Sequence, residues 1–294
     1  MTAVATVRVG HSSNGAGFAA LSMAEEAGCF DRHGVQIVRT ELPSTGTAMA
    51  LAAAGELDVA GASGMAIVRA ALAGAEPLIV MSIEASNVFA VMGATGIQTP
   101  DDLRGRVVGA NGESEQDYLM LRKALVGWGL DPEADVVTEF RGSRGRNWEA
   151  LIRGEIHAMA ATVPLPNLAR KLGLPVLRDF STEHGPYQLG AYVTTRAFAS
   201  RAPHTLRGFL AALLEGYRLF QSSFEAALPQ LRARTKLDDL EVLRQTWELF
   251  AHAMNAHEPD PAAIAAVCAD VEGVMGLPVD VDPAALVDAT FLPG

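Results

Sequence analysis

Two stretches of this chain follow the same order of residue types, and this repeat narrows the possible folds. The first runs from Thr40 through an alanine-rich segment and Gly55-Glu56-Leu57-Asp58-Val59-Ala60 to Pro77-Leu78-Ile79-Val80. The second runs from Thr138 through Gly154-Glu155-Ile156-His157-Ala158-Met159-Ala160 to Pro175-Val176-Leu177. Matching positions lie 98 or 99 residues apart, as from 40 to 138 and from 55 to 154. Two long copies do not make a solenoid. The repeat therefore predicts two similar lobes that hold a small-molecule ligand in a cleft between them.

The pattern of apolar residues indicates an α/β fold. Val35–Val38 alternates as a strand does, and Leu78–Ile83 is nearly all apolar, as expected for a strand buried on both faces. Such strands alternate with helical segments, which predicts a parallel sheet covered by helices. From Pro203 onward the apolar residues recur at spacings of three and four, which predicts a helical C-terminal tail.

Charge and cysteine content exclude several classes of partner. The net charge is −11 and the chain has no run of Lys or Arg, which argues against nucleic acid or an anionic membrane surface as a partner. Cys29 and Cys268 are isolated and have no neighbours at metal-ligand spacing, so we expect neither a metal nor a cofactor. Apolar runs are interrupted before they reach about 18 residues, so we expect no membrane insertion.

The first residues, Met1–Val9, lead almost at once into a strand. They contain no basic n-region, no apolar stretch of signal-peptide length and no cysteine of a lipoprotein signal. The sequence as it stands therefore predicts a cytoplasmic protein. If an export signal was removed, a periplasmic or other extracytoplasmic location is expected instead.

Three segments resemble a known family. Ala24–Val35 (AEEAGCFDRHGV), Leu51–Ala60 (LAAAGELDVA) and Asp101–Gly109 (DDLRGRVVG) are similar to stretches of type II solute-binding proteins. The subgroup is the NMT1/THI5-like one, which serves ABC importers of nitrate, sulfonate, taurine and thiamine precursors. The similarity covers roughly residues 7–200.

This resemblance implies the type II periplasmic-binding-protein fold, with two α/β lobes joined by two interlobe crossovers and followed by the helical tail. The crossovers would fall near Ser86-Asn87 and near Tyr187–Leu189. Lobe 1 would comprise residues 1–87 and 194–294, and lobe 2 residues 88–193. The family closes its lobes around the ligand by hinge bending and delivers it to an ABC permease, which would be the partner here.

Ligands of open α/β sheets bind beyond the carboxyl ends of the strands, where helix N-termini present free N–H groups. This rule selects the loops after four strands, and the first crossover could face the cleft as well. The candidate ligand-binding residues are His11, Ser12, Ser13, Asn14, Ser63, Gly64, Glu84, Ser86, Asn87, Asn111, Gly112, Glu113, Ser114 and Thr162, together with Arg141 and Arg144. We also expect Ser63 and Ser114 to be helix N-caps.

The charged residues among these candidates favour ligands of different charge. A guanidinium of Arg141 or Arg144 could hold a carboxylate in a bidentate pair. Glu113 stands where the family commonly has Gly, Ser or Thr donating to an anion, and a carboxylate there would repel a sulfonate or nitrate.

Two functions fit the sequence. The first is a binding protein that closes over a small polar or anionic metabolite and leaves it unchanged, since no recognised catalytic motif is present. The second is a cytoplasmic lyase, decarboxylase or hydrolase acting on a small carboxylate, with His11 as general base beside Glu113 or Glu115. Fold alone does not decide between them.

Overall fold

The computed structural model describes residues 5–12 and 16–293, which form two compact units. Unit 1 contains the described residues up to Ser86, then Pro186–Val267 and the residues from Asp280 onward. Unit 2 contains Asn87–Gly185 and Cys268–Val279. Relative to the division predicted from sequence, residues 186–193 lie in unit 1, and residue 87 and residues 268–279 lie in unit 2.

The strands of the described residues form two sheets of five. In chain order they are β1 (Ala5–Ser12), β2 (Val35–Leu42), β3 (Val59–Ser63), β4 (Pro77–Glu84), β5 (Phe89–Gly93), β6 (Arg106–Ala110), β7 (Val136–Phe140), β8 (Ala158–Thr162), β9 (Val176–Asp179) and β10 (Gly190–Thr195).

Helices follow most of these strands and make up the C-terminal third. They are α1 (Ala19–Glu26), α2 (Cys29–Arg32), α3 (Thr45–Ala53), α4 (Gly64–Leu72), α5 (Gln116–Gly127), α6 (Arg144–Arg153), α7 (Leu165–Lys171), α8 (Arg196–Arg201), α9 (Pro203–Ser222), α10 (Phe224–Thr235), α11 (Leu240–Ala253) and α12 (Pro261–Met275). The predicted α/β class and helical C-terminal region are confirmed.

The two sheets have the same topology. The strand order is β2-β1-β3-β10-β4 in unit 1 and β7-β6-β8-β5-β9 in unit 2. In each sheet the fourth strand, β10 or β5, is antiparallel to both neighbours and the others are parallel. The carboxyl ends of four strands and the start of the fifth therefore meet at one edge of each sheet, called the carboxyl edge below.

The sequence repeat is a repeat of structure. Val9 pairs with Val59 in unit 1, and Val108 pairs with Ala158 in unit 2, each position 99 residues after its counterpart. The backbone bonds repeat as well: the Asp58 amide donates to the Arg8 carbonyl at 2.9 Å and the His157 amide donates to the Val107 carbonyl at 2.7 Å. Thr40–Val80 and Thr138–Leu177 therefore belong to two separate sheets that have the same strand order and strand directions.

In each unit, a glycine in the second strand of the sheet leaves room for the leucine or isoleucine side chain that precedes the third strand. A Cβ added to Gly10 would lie 2.3 Å from Leu57 Cδ1, and a Cβ added to Gly109 would lie 2.4 Å from Ile156 Cδ1. Gly109 and Ile156 each come 99 residues after their counterparts Gly10 and Leu57, so this packing contact is repeated as well.

Each unit has its own core. In unit 1, α1 and α9 pack closely, and a Cβ on Gly216 would lie 2.2 Å from the Ala20 carbonyl oxygen. In unit 2, Met92, Leu151 and Ile156 belong to a buried apolar cluster between α6 and the sheet. None of the helices among residues 5–12 and 16–293 has the length and apolar character needed to cross a bilayer.

Candidate ligand-binding site

The carboxyl edge of unit 1 brings together the starts of two helices. Ser44 Oγ accepts a hydrogen bond from the Thr47 amide at 3.1 Å and so caps α3, and Ser63 Oγ accepts one from the Ala66 amide at 3.3 Å and caps α4. Thr45 Oγ1 lies 3.0 Å from Ser63 Oγ, which ties the two helix starts together. The predicted cap at Ser63 is confirmed. The Ser44, Thr45 and Ser63 hydroxyls at these two helix starts are groups that can hydrogen-bond a ligand oxygen.

Gly64, the first residue of α4, allows a close approach of backbone at this edge. A Cβ there would lie 2.2 Å from the Gln188 carbonyl oxygen, and the Gly64 amide donates to the Leu189 carbonyl at 3.1 Å. Its part in the site is therefore to let the chain segment before β10 pack against α4.

His11 lies in the interior of unit 1 and has no exposed surface. Its Nδ1 bonds the Ser12 carbonyl at 3.0 Å, and its ring stacks on Phe18 at 4.9 Å between centroids. Burial lowers the pKa of His11, and the charges of Arg234 and Arg39 lower it further. A neutral, enclosed imidazole does not have the accessibility that the predicted general base needs. Ser12 is half-buried at the end of β1, and the predicted site residues Ser13 and Asn14 lie outside the described residues.

Glu84 ends β4 and is buried, with 8% of its surface exposed. Two glycines make room for it, since a Cβ on Gly17 or Gly190 would lie 2.1 or 2.2 Å from its carboxylate oxygens. Burial raises the pKa of Tyr192 and Tyr217, and the negative charge of Glu84 contributes in the same direction. The sequence predicted Glu84 but gave no sign of the two tyrosines, which come from β10 and α9.

The two predicted crossover residues have different roles. Ser86 is half-buried and ends the first segment of unit 1. Asn87 is used within unit 2, where its Oδ1 accepts from the Phe89 amide at 3.0 Å and its Nδ2 donates to Met120 Sδ at 3.0 Å. The amide of Asn87 therefore fixes the entry into β5.

The loop after β6 lies at the carboxyl edge of unit 2. Its first residue, Asn111, donates its backbone N–H to Asp117 Oδ2 at 2.7 Å and accepts at Oδ1 from Asn147 Nδ2 at 3.0 Å. Gly112 is half-buried, and Glu113 and Ser114 are exposed. The predicted cap at Ser114 is wrong: Glu115 is the N-cap residue of α5, and the Asp117 carboxylate bonds back to the loop instead.

Among the described carboxyl groups of unit 2, Asp117 has the largest pKa shift. It is 6% exposed, and within the described residues its Oδ1 has no hydrogen-bond partner. Burial raises the pKa of Asp117 to about 7, with the Glu115 charge adding to the rise and the Asn111 amide and Arg144 opposing it. The sequence gives no sign that Asp117 is buried, because an acid in the first turn of a helix is ordinarily a solvated partner of the helix dipole.

The two candidate arginines differ. Arg141 forms ion pairs with Glu139 at 2.6 Å and Glu155 at 3.2 Å, so it joins β7 to the end of α6 and does not stand free to clamp a ligand. Arg144 is the first residue of α6 and acts electrostatically on Asp117.

Two further residues complete the edge of unit 2. Thr162 ends β8 and is buried, with 8% of its surface exposed. Ser143 caps α6 by accepting from the Arg146 amide at 3.3 Å. Ser143 was not predicted, although the 99-residue spacing from Ser44 points to it.

The comparisons with known proteins agree with this architecture. The family model described as NMT1/THI5 like matches residues 16–226. The chain belongs to the NMT1/THI5-like family. The resemblance seen in the sequence is therefore confirmed.

Solved structures show the same fold as this family member. The alkanesulfonate-binding protein SsuA of Xanthomonas axonopodis pv. citri, bound to MOPS, is 19% identical with a TM-score of 0.80 and 97% and 98% of the two chains covered. The periplasmic aliphatic sulphonate-binding protein SsuA of Escherichia coli is 19% identical, with a TM-score of 0.75 and coverages of 96% and 92%. The periplasmic nitrate-binding protein NrtA of Synechocystis PCC 6803 is 13% identical, with a TM-score of 0.78 and coverages of 98% and 87%.

These likenesses confirm the two-lobed type II periplasmic-binding-protein fold. No curated protein sequence matches the chain.

Proposed function

We propose that this protein is the solute-binding component of an ABC importer and that it binds a small polar or anionic metabolite without changing it. The observation that carries the proposal is the repeated sheet of an NMT1/THI5-like family member, with a carboxyl edge at which helices begin in each unit. At the unit 1 edge, the Ser44, Thr45 and Ser63 hydroxyls and two helix starts provide hydrogen bonds suited to a small solute.

The similar structures support the importer role. Two of them are named as sulfonate-binding proteins and one as a nitrate-binding protein, and two of the three are named as periplasmic. By this analogy the partner would be an ABC permease, and the protein would work outside the cytoplasm, with hinge bending closing the lobes over the solute.

The enzymatic alternative has no comparable support. His11 is enclosed and neutral, with Nδ1 bonded to the Ser12 carbonyl. The family and the similar structures give no reason to expect a lyase or hydrolase.

The proposal is tested by a thermal-shift screen of small metabolites against the purified protein, followed by incubation with each hit and mass spectrometry of the recovered compound. We expect at least one saturable ligand that is recovered unchanged. Thr45→Val should weaken its binding because it removes a hydroxyl from the unit 1 edge, whereas Thr6→Val, at the opposite end of β1, should not. Conversion of the ligand into a product would refute the binding-protein function, and so would the absence of any stabilising compound from a broad collection.

A further inference from the structure

A cavity of about 460 Å³ lies at the edge of the unit 1 sheet opposite to the carboxyl edge, and it is called the amino-edge cavity below. It is bounded by the C-terminal half of α3, the residues just before β3, the start of β4, the end of β10 and α8, all of which belong to unit 1. Its volume is in the range of about 300–1,000 Å³ that small-molecule sites occupy. The candidate site at the carboxyl edge does not include it.

One wall of this cavity is apolar. Met49, Leu57 and Phe198 line it, and all three side chains are buried in the protein. Pro77, at the start of β4, lines it as well. A wall of this kind suits the hydrocarbon part of a ligand, because each Å² of apolar surface removed from water contributes about 25 cal/mol.

The polar part of the cavity offers more hydrogen-bond donors than acceptors. Asp58 is its buried carboxylate, and Arg8 already donates to both oxygens, to Oδ2 at 2.9 and 3.0 Å and to Oδ1 at 2.9 Å. Arg201 Nη2 lies 3.5 Å from Asp58 Oδ1, beyond the usual range of about 2.7–3.2 Å for an N–H···O bond. In the part of the chain that the structure describes, this is the one ion pair of Arg201, whose side chain is 67% exposed. Its guanidinium therefore has N–H groups to donate to an incoming oxygen.

Arg201 also joins the charged and the apolar parts of the cavity. Its Cζ lies 5.3 Å from the centre of the Phe198 ring, which belongs to the apolar wall. A guanidinium pairs with a carboxylate through two parallel N–H bonds. A carboxylate bound by Arg201 would therefore have its hydrocarbon chain next to Phe198.

The charges around the cavity favour an anion. Three guanidinium groups and two carboxylates line it, those of Arg8, Arg196, Arg201, Asp58 and Glu76. The helices α3 and α4 end on this side, and a helix C-terminus attracts cations. Both ends already have one, since Arg8 Nη2 donates to the Gly55 carbonyl after α3 at 2.8 Å and Arg69 lies in the last turn of α4.

We propose that the amino-edge cavity is a second binding site and that its ligand is a small organic anion with an apolar body, such as a short-chain carboxylate. Arg201 pairs with the carboxylate, and the wall of Met49, Leu57 and Phe198 holds the chain. This second site is separate from the proposed solute site at the carboxyl edge and does not depend on it.

The experiment follows the methionine methyl groups of the whole protein by NMR, because Met49 lines the cavity and its resonance is assigned from Met49→Leu. The probes are hexanoate, hexanol and hexylammonium, which share a chain and differ in charge. Each is titrated to about 20 mM, because ligands of this size bind with a Kd of about 1 mM. We expect hexanoate to shift the Met49 methyl resonance saturably and the other two probes to bind at least about tenfold more weakly.

Arg201→Gln should weaken hexanoate binding about tenfold, a difference of about 1.4 kcal/mol, and leave hexanol binding unchanged. Arg218→Gln is the matched control, because Arg218 is exposed on α9 of unit 1 and does not line the cavity. Ala53→Phe puts a ring into the cavity from α3 and should abolish binding. Thr45→Val, at the carboxyl edge, should leave hexanoate binding unchanged. The methyl spectrum of each variant shows whether it is folded.

Each contrary result overturns a different part of this proposal. A Met49 methyl resonance that hexanoate does not shift would reject the site. Equal affinities for the three probes would reject the preference for an anion, and hexanoate binding that is unchanged in Arg201→Gln would reject Arg201 as its partner. None of these results bears on solute binding at the carboxyl edge, which the metabolite screen tests separately.

Discussion

Asp58 and His157 occupy equivalent positions in the two copies of the repeat but have different partners. Asp58 is buried and accepts from Arg8 N and Nε at Oδ2 and from Nη2 at Oδ1, at 2.9, 3.0 and 2.9 Å. Burial opposes its ionisation, but the hydrogen bonds from Arg8 outweigh burial and hold the pKa of Asp58 below its usual value. His157 makes a side-chain bond of 3.3 Å to the Val107 carbonyl.

We therefore expect Asp58→Ala to destabilise unit 1 by about 2 kcal/mol, because it leaves Arg8 without its partner. His157→Ala is the matched control and should cost less than about 1 kcal/mol. The Asp58 contribution should be present above pH of about 4 and be lost as the pH falls through the lower folded-state pKa. Urea denaturation of wild type and both variants at pH 7 and pH 3 measures this. Equal losses in the two variants at pH 7 would contradict it.

Asp117 predicts the opposite pH dependence. Its folded-state pKa is about 7, above the usual value of 3.8, so the folded protein binds this proton more tightly than the unfolded chain. The stability contributed by this group is therefore fully present below a pH of about 4 and is lost as the pH rises through 7, by on the order of 4 kcal/mol. Asp117→Asn should be more stable than wild type at pH 8 and show a flatter pH profile. Urea midpoints at pH 5 and pH 8 test this, and parallel profiles for the two proteins would refute it.

At the scale of elements, helix caps follow the repeat. Ser44 and Ser143 cap α3 and α6 in the same way, 99 residues apart, whereas Ser114 is exposed and caps no helix. Ser44→Ala and Ser143→Ala should each cost about 1 kcal/mol, because each leaves a helix amide without its acceptor. Ser114→Ala should change stability by less than about 0.5 kcal/mol. Chemical denaturation of the three variants checks the ranking, and a loss at Ser114 equal to the other two would contradict it.

The packing of α1 against α9 gives a second prediction at this scale. Because a Cβ on Gly216 would lie 2.2 Å from the Ala20 carbonyl oxygen, Gly216→Ala should force the helices apart and cost about 2 kcal/mol. Gly273, in α12, has no atom within 4 Å of an added Cβ. There the same change should raise stability by about 0.5 kcal/mol, since alanine favours helix. Thermal melts distinguish the two signs, and destabilisation by both would refute the packing argument.

The elements show which features the sequence could predict. The apolar run Leu78–Ile83 placed β4 to within one residue at each end, and the repeat predicted two similar lobes, each of which has its own sheet. The prediction that Ser114 caps α5 failed because the Asp117 carboxylate bonds the Asn111 amide across the loop. A serine before a helical pattern does not reveal such a contact. Glu84 interacts electrostatically with two buried tyrosines, Tyr192 and Tyr217. Both come from distant parts of the chain, and no local sequence pattern predicts such contacts.

At the scale of the whole molecule, the two units are built from more chain segments than the sequence predicts. Unit 1 has three segments and unit 2 has two, whereas the predicted lobes had two and one. The repeat ends near Leu177 and carries no information on the C-terminal region, where only helical periodicity was visible. The structure assigns Cys268–Val279 to unit 2, although the residues on either side belong to unit 1. Lys123 Nζ pairs with Asp270 at 2.8 Å, and Arg122 Nε donates to the Val274 carbonyl at 3.2 Å.

Unit 2 should therefore depend on a segment far along the chain. A fragment of residues 87–185 should be less stable than the same fragment joined by a flexible linker to residues 268–279, by about 2–4 kcal/mol. The reason is that Val271 has no exposed surface and Cys268 is 8% exposed, so the segment contributes buried apolar area. Val271→Asp in the joined fragment is the control and should remove the gain. Urea denaturation followed by circular dichroism measures all three. Equal stability with and without residues 268–279 would mean that unit 2 is complete in its first segment, as the predicted lobe of residues 88–193 had it.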